Sequence, residues 1–366
     1  MKKERDSGIE LLRIISIMMV IGVHLWLYGG YFSASQQIGG IVASSALLFK
    51  LFFRSAVNIF IIISGFFTVK SSFDLKKSYS RVLKIFLSVF FYSVVLSIIT
   101  LCLGADTREA LGITRPVYTI WLKMFFPITT QTWYFITDYI LLMLFAPFLN
   151  IVLQKLTKKQ YQVLLLITGF VLSGWIFVGS IGVTKSIFIL YGYADLASGK
   201  NVFSFMFMYI IGGYISLHTK PHKKPRARYI LFTLICLYAN YLILTLFDDV
   251  IGYKNASISY TNPFIILVAV FMFIFFKDLH FKSKIINTLG STTLGVYAVS
   301  EFYLVRAWIW SIINFSKVDC TNLFKNIVMV TLGILVVFLG CAIIDLLRQK
   351  LFSAIEYTYK KLRKTE

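Results

Sequence analysis

The feature that most constrains this chain is a succession of apolar segments, each close to the length of a membrane-spanning helix. A helix needs ~20 mostly apolar residues to cross the hydrocarbon core of a bilayer, where it satisfies its own backbone polar groups. We count ten candidate spans, with approximate bounds 8–29, 52–70, 82–104, 133–154, 161–180, 201–217, 229–247, 262–277, 285–311 and 324–347. The sixth and eighth are short, and the ninth is long enough to be tilted or broken. The expected fold class is therefore all-α, a polytopic integral membrane protein.

The composition excludes an ordinary soluble domain. The chain is 58% hydrophobic and only 14% charged, whereas soluble domains are ~45–50% apolar and ~25% charged. A net charge of +21 would suit a nucleic-acid partner, but the basic residues lie in short tracts between apolar runs and no nucleic-acid motif is present. We predict a single domain over residues 1–366, with a membrane core over about 8–347, a basic tail at 348–366 and the lipid bilayer as a partner.

The distribution of lysine and arginine predicts the orientation, because these residues accumulate in cytoplasmic loops. Twenty-five of the 37 cations lie in one alternating set of segments, at residues 1–7, 70–84, 155–159, 220–228, 277–284 and 348–366. Ten lie in the opposite set, namely Lys50, Arg54, Arg108, Arg115, Lys123, Lys185, Lys200, Lys254, Lys317 and Lys325. Both termini are therefore predicted to be cytoplasmic.

Three ionisable residues share one face of the first span. Arg13 and His24 are eleven residues apart, which brings them to within about 20° of each other around the helix axis, and Glu10 lies within about 60° of Arg13. Along the axis Arg13 and His24 are separated by roughly 16 Å. Polar groups inside a bilayer are costly, so each is a candidate functional residue.

His24 is the histidine that lies within a span; His218, His222 and His280 fall in predicted cytoplasmic loops. Desolvation disfavours charged imidazole, and the neutral form accepts a proton, so His24 is a candidate general base. The structural alternatives are a histidine bonded to a neighbouring helix and, for Glu10 and Arg13, a simple neutralising pair.

These residues resemble the signature of the acyltransferase 3 family of membrane-bound acyltransferases, which includes bacterial polysaccharide O-acetyltransferases. The family has an arginine and a histidine in its first span, matched by Arg13-x10-His24. Further resemblances extend over nearly the full length, in VNIFIIISGFF (57–67), Arg81-x-x-Lys84, TWYFITDYILLMLFAPFL (132–149), FMYIIGGYIS (207–216) and NTLGSTTLGVYAVSEF (287–302).

The chain departs from the family pattern at three positions. Ser300 stands where members often carry a histidine three residues after the tyrosine matched by Tyr297. Lys84 replaces an arginine, which gives up a bidentate fork suited to phosphate. Glu10 stands where aspartate is common. The change at Ser300 puts a second catalytic histidine in doubt.

The resemblance implies an acyl-CoA co-substrate, acetyl-CoA being expected, with no bound cofactor and no metal. It also implies a hydroxyl acceptor on an exopolysaccharide, capsular or other envelope glycan, and a place in the bacterial inner membrane. Arg81 and Lys84 would then contact the donor phosphates, while Lys76 and Lys77 are better explained by topology. His24 would take the acceptor proton, Arg13 would bind phosphate or hold the channel charge, and Glu10 would orient Arg13. An acyl-histidine intermediate stays open.

Other polar groups inside the spans are candidates for lining the channel or contacting the acceptor. Asn58 and Ser64 could instead make hydrogen bonds that only pack helices together. Trp133 and Tyr134 could form a stacking platform for a sugar, and the structural alternative is an aromatic belt at the membrane interface. Asp138 lies one turn deeper. Tyr297, Ser300 and Glu301 share the ninth span, where a structural pair between Glu301 and Arg306 is expected.

Two other functions remain open on these residues. The face formed by Glu10, Arg13 and His24 would also suit a proton relay in a secondary transporter or in an exporter of glycan or lipid-linked substrate. The chain could instead be a non-catalytic partner that anchors an envelope assembly, in which case neither Arg13 nor His24 would be needed for glycan modification.

Overall fold

The computed structural model describes residues 6–184, 198–220, 222, 224–315 and 322–362, and over these ranges the fold is α-helical without strands. The helices are α1 (Ser7–Tyr28), α2 (Tyr31–Ile38), α3 (Gly40–Phe53), α4 (Ala56–Thr68), α5 (Leu75–Cys102), α6 (Ala105–Ala110), α7 (Val117–Phe125), α8 (Tyr134–Lys155), α9 (Lys158–Gly169), α10 (Ile176–Ser180), α11 (Val202–His218), α12 (Arg228–Ile251), α13 (Lys254–Ser257), α14 (Pro263–Lys277), α15 (Lys284–Gly290), α16 (Thr293–Ser300), α17 (Tyr303–Ile312) and α18 (Leu323–Leu362). A π-helical turn at Phe170–Trp175 joins α9 to α10. Several residues used in the sequence analysis lie outside the described ranges, namely Lys2, Lys3, Arg5, Lys185, Lys223, Lys317, Arg363 and Lys364.

Seven helical segments in the described part of the chain are long and apolar enough to cross a membrane: Ser7–Tyr28, Gly40–Thr68, Leu75–Cys102, Tyr134–Lys155, Lys158–Ser180, Arg228–Ile251 and Leu323–Thr358. Two shorter apolar helices, α11 and α14, correspond to the short sixth and eighth candidate spans. The chain is thus a multi-pass, all-helical membrane protein. The count of ten spans and the cytoplasmic location of both termini stay predictions.

The ninth candidate span is broken into α15, α16 and α17. The helix stops at Gly290, restarts at Thr293, and ends again where Glu301 caps α16. Irregular backbone at membrane depth is tolerated where protein buries it or where it lines a cavity. This break brings the carboxylate of Glu301 to the end of a helix in the interior of the bundle.

The second span begins earlier than the sequence predicts. It was expected from residue 52 and begins at Gly40, so Lys50 lies within the Gly40–Thr68 segment rather than in a loop. Lys50 is buried, with its ammonium 3.7 Å from the ring centroid of Trp26. The attraction between a cation and an aromatic face accommodates this charge inside the fold.

The described part of the predicted basic tail is helical. Residues 348–362 continue α18 without a break. Arg348 Nε donates to Asp345 Oδ1 at 2.8 Å, and Tyr92 donates its hydroxyl to the same oxygen at 2.7 Å. The first basic residue of this region is therefore anchored to the core by a buried carboxylate.

Helix α1 lies in the centre of the bundle, where it contacts α3, α4 and α14 through α18. By contrast α12 lies at the periphery, with Leu231, Leu234, Ile235 and Tyr238 among its exposed side chains. Exposed apolar side chains on a membrane helix are solvated by lipid tails. The charged face of α1 is therefore enclosed by protein rather than by lipid.

Close contact between α4 and α11 depends on glycine. A Cβ atom on Gly65 would lie 2.2 Å from the carbonyl oxygen of Tyr209, and one on Gly212 would lie 2.1 Å from that of Ile62. Small residues let membrane helices approach closely enough for van der Waals contact along their backbones. This contact fixes α4, and with it Ser64, against the interior of the bundle.

Candidate active site

The predicted face of α1 lines an internal cavity. Arg13, Ile17 and Val20 form one side of a space of about 190 Å³, called here the Arg13 cavity. The remaining lining comes from four other helices, through Val57, Phe60, Ser64, Ile85, Phe135, Tyr139, Thr293, Leu294 and Tyr297. The Arg13 face of α1 thus lines a cavity as far as Val20.

Glu10 and Arg13 form the expected pair. Arg13 Nη1 donates to Glu10 Oε1 at 3.3 Å, one turn along α1, and Glu10 is buried. The Arg13 guanidinium also lies 5.9 Å from the ring centroid of Phe67. The pairing holds Arg13 at one end of the cavity, and it does not exclude contact with a ligand, since 29% of the Arg13 side chain is exposed.

His24 is bonded to a carboxylate from the broken ninth segment. Its Nε2 atom lies 2.8 Å from Glu301 Oε2, and only 6% of the Glu301 side chain is exposed. In the neutral ring, a carboxylate partner at this distance favours the tautomer with the hydrogen on Nε2 and the lone pair on Nδ1. The Nδ1 atom is buried, and no residue in the described part of the chain bonds to it.

The expected pair between Glu301 and Arg306 is the weaker of the two contacts made by this carboxylate. Arg306 Nη1 lies 4.0 Å from Glu301 Oε2, the oxygen that is bonded to His24. The Arg306 guanidinium instead stacks over Tyr28, 4.5 Å from its ring centroid. The shorter contact of the Glu301 carboxylate is therefore with His24. The spacing of residues along the ninth span did not predict this contact.

A second space, called here the Tyr28 cavity, lies at the other end of the α1 face. It has a volume of about 420 Å³ and is lined by Tyr28, Arg115, Tyr303, Arg306 and Trp310, with residues 110–113, Ala307 and Ser311. The rings of His24 and Tyr28 are stacked, with centroids 5.7 Å apart. Val20, His24 and Tyr28 follow one another at four-residue intervals, so His24 lies one turn from each cavity.

The arrangement on α1 can carry out proton transfer between two bound groups. A half-buried imidazole held by a carboxylate is oriented as a base, and the carboxylate stabilises the imidazolium that forms when a proton is accepted. Spaces on either side would hold two different reactants. Among the described residues, no group of three His, Cys, Asp or Glu side chains is close enough to hold a metal ion.

Comparison with protein families assigns the chain to a family. A family model described as an acyltransferase domain, that of acyltransferase 3, matches residues 6–346. The chain belongs to the acyltransferase 3 family. A comparison with curated proteins and one with solved structures each gave no match. The protein is therefore a membrane acyltransferase, and the remaining predicted residues can be considered in that light.

In this acyltransferase, Arg81 lines a third space, called here the Arg81 groove, of about 140 Å³. The groove also contains Thr68, Ser71, Ser78 and Asn150, and it shares Ile85 and Tyr139 with the Arg13 cavity. Arg81 and Lys84 lie near the start of α5, which begins earlier than the predicted residue 82. Lys84 is exposed and does not line the groove.

Two candidate residues of α4 have different environments. Ser64 lines the Arg13 cavity, and its hydroxyl donates to Phe60 O at 2.9 Å and lies 3.2 Å from the hydroxyl of Tyr139. Asn58 is buried and donates to Tyr260 O at 2.9 Å. Asn58 thus makes a hydrogen bond that packs helices together, whereas Ser64 is accessible to a ligand in the cavity.

The candidates that begin α8 are mostly structural in their placement. Trp133 is buried and donates its indole hydrogen to Ala298 O at 3.1 Å, so its ring is not presented to a sugar. Tyr134 lies 3.3 Å from Tyr260, hydroxyl to hydroxyl, and the Lys200 ammonium lies 5.0 Å from its ring centroid. Asp138 is buried.

In α16, Tyr297 lines the Arg13 cavity. Ser300 is buried, and its hydroxyl has no hydrogen-bond partner among the described residues. The serine therefore leaves unused hydrogen-bonding capacity at the position where the family often carries a histidine. The sequence analysis did not identify Arg115 and Tyr28, which line the Tyr28 cavity, as site residues. The sequence signals for them are weak: Arg115 precedes a proline and an aromatic helix, and Tyr28 follows His24 by four residues.

Proposed function

We propose that this membrane acyltransferase moves an acyl group, acetyl being expected, from acyl-CoA to a hydroxyl of an exported or cell-envelope polysaccharide. The observation that carries the proposal is the His24–Glu301 contact of 2.8 Å. Neither residue lines the two cavities, but Val20 lines the Arg13 cavity and Tyr28 lines the Tyr28 cavity, each one helical turn from His24. One cavity would hold the thioester and the other the acceptor, with the base between them.

The donor would enter through the Arg81 groove. In the orientation expected from loop charge, this groove opens towards the cytoplasm, where acyl-CoA is available. Arg81 would contact donor phosphates, since a guanidinium forms charge-assisted and often bidentate bonds to phosphate, and Lys84 would add positive charge nearby. The pantetheine arm would extend past Ile85 and Tyr139, which line both spaces.

The chemical step would use both partners of the contact. For this step the incoming acceptor has to uncover His24 Nδ1, which is buried in the structure. The atom then accepts the proton of the acceptor hydroxyl as the hydroxyl oxygen attacks the thioester carbonyl carbon. The carbon–sulfur bond then breaks, and the leaving thiolate takes the proton back from the imidazolium. Glu301 holds the ring and stabilises its transient charge. Transfer through an acyl-histidine uses the same residues and the same cavities.

The test is transfer of label from acetyl-CoA to glycan in membranes of a bacterial host. Wild-type membranes should acylate the glycan, and His24→Gln should lower the rate by ~10²–10⁴-fold. His222→Gln is the matched control, because His222 lies outside the bundle core, where its ring contacts Arg226. Label transfer that survives His24→Gln would overturn the catalytic assignment. Glycan accumulation in vesicles without acyl turnover would favour transport instead.

A further inference from the structure

The Tyr28 cavity is large enough for a ligand of its own. Its volume of about 420 Å³ exceeds the 190 Å³ of the Arg13 cavity, and small-molecule sites commonly occupy ~300–1,000 Å³. Tyr28 is half exposed on its wall, and Trp310, which also lines the cavity, is buried. The Tyr28 ring already stacks with His24 and with the Arg306 guanidinium, so it offers a sugar its hydroxyl, which can both donate and accept a hydrogen bond.

Two arginines line this cavity without a dedicated carboxylate. Arg115 is exposed, lies 5.6 Å from the ring centroid of Tyr303, and forms no ion pair within the described ranges. The carboxylate nearest to Arg306 is that of Glu301, at 4.0 Å, and its oxygen is already bonded to His24. Both guanidinium groups therefore retain hydrogen-bond donors for a ligand.

A third basic residue lies near this site without lining the cavity. Lys123 of α7 lies close enough to Arg115 to be affected by its charge: burial lowers the pKa of Lys123, and the Arg115 charge lowers it further. The acidic side chains nearest in sequence, Asp106 and Glu109, are exposed and make no ion pair with either arginine in the part of the chain that is described. Among the described residues, basic side chains thus outnumber acidic ones around the cavity.

We infer that the Tyr28 cavity recognises an anionic group of the acceptor glycan, a carboxylate or a phosphate, through Arg115 and Arg306. Planar guanidinium groups match both anions in a bidentate manner. Tyr28 lies one turn from His24 and stacks on its ring, so an acceptor held there presents a hydroxyl near the base. This inference rests on the proposed function, since it specifies the acceptor class of the same site.

Direct binding tests the inference separately from turnover. The purified full-length protein in nanodiscs is titrated with three oligosaccharides of one length: a uronic-acid form, its carboxyl-reduced neutral form, and a phosphorylated form of the neutral one. The wild type should bind one or both acidic forms at least ten-fold more tightly than the neutral form, and whichever form binds identifies the anion. Equal affinity for all three forms would overturn the inference.

The variants assign this selectivity to residues. Arg115→Gln should lower the ratio of acidic to neutral affinity about ten-fold, and Arg115→Lys should restore part of it because the charge is retained. Lys325→Gln, which removes an exposed cation outside the cavity, is the control and should leave the ratio unchanged. An unchanged ratio in Arg115→Gln, or an equal loss for all three ligands, refutes the assignment.

The two proposals fail in distinguishable ways. If the neutral glycan is acylated as efficiently as the acidic one, the proposed function is supported and the inference about anion recognition is refuted. Selective binding of an acidic glycan that depends on Arg115, without any label transfer from acetyl-CoA, keeps the inference about the site and removes the proposed function.

Discussion

Replacing Glu301 by glutamine tests the central contact of the site with little change in shape. The amide can still accept a hydrogen bond from His24 Nε2, which lies 2.8 Å from the carboxylate oxygen. The variant loses the negative charge that faces the imidazolium formed during proton transfer. We therefore expect binding of acyl-CoA to be retained and the chemical step to slow.

The magnitude follows from the electrostatics of the pair. Because charge on both groups is delocalised, the charge centres lie about 4 Å apart, and two unit charges at that distance interact by about 4 kcal/mol at an effective dielectric constant of about 20. If half of the positive charge has developed in the transition state, the loss is about 2 kcal/mol. This corresponds to a decrease of about thirty-fold in kcat.

The assay is initial-rate transfer of labelled acetyl to glycan by purified protein in nanodiscs, with acetyl-CoA varied to separate kcat from KM. Glu356→Gln is the matched control, because Glu356 is exposed on α18 and pairs with Lys360 rather than with the site. A kcat within two-fold of wild type in Glu301→Gln would refute the role assigned to the carboxylate. A rise in KM alone would indicate a role in donor binding instead.

Three further outcomes are expected. Arg81→Gln should raise KM for acetyl-CoA about ten-fold, because one charge-assisted contact to phosphate is lost. Gly65→Ala should lower the free energy of unfolding by at least ~1–3 kcal/mol in thermal or denaturant melts, because the added Cβ would lie 2.2 Å from a carbonyl oxygen of α11. The hydrogen bond to Asp6 raises the pKa of His280. Its contribution to stability is therefore complete below about pH 6.5, the unfolded value, and is lost as pH rises through the higher folded value, which a melting series from pH 5.5 to 8.5 would detect.

Controls for these outcomes come from the same chain. Lys159→Gln removes an exposed cation outside the Arg81 groove and should leave KM unchanged; an equal rise in KM would argue against a specific phosphate contact. Gly340→Ala has open space around the new Cβ and should not lower stability; a loss as large as that of Gly65→Ala would contradict the packing argument. Asp6→Asn preserves an N-cap for α1 and should flatten the melting temperature between pH 6.5 and 8.5; an unaltered slope would disprove the His280 assignment.

Local features of the site were predictable because they lie within one helix. The 3.6-residue repeat places Glu10, Arg13 and His24 on one side of α1 whatever the rest of the chain does, and the i, i+3 spacing brings Glu10 and Arg13 within reach of each other. The all-helical, multi-pass fold followed from the length and apolarity of the segments, since helices satisfy their own backbone polar groups in lipid.

Contacts between helices were not predictable from spacing. The partner of His24 is Glu301, from the other end of the chain, and it reaches the imidazole only because the ninth segment breaks beside α1. Sequence spacing alone favoured Arg306 as the partner of Glu301. The aromatic pattern predicted Trp133 at the membrane interface, whereas packing buries it against α16.

The amino-acid sequence alone therefore determined that the chain is helical and membrane-embedded, and which side of α1 carries its ionisable groups. The tertiary structure decided which carboxylate holds His24, where the cavities lie, and that two arginines line one of them. The physical reason is that helical periodicity and hydrophobicity act over a few turns, whereas these contacts depend on how separate helices pack and where one of them is interrupted.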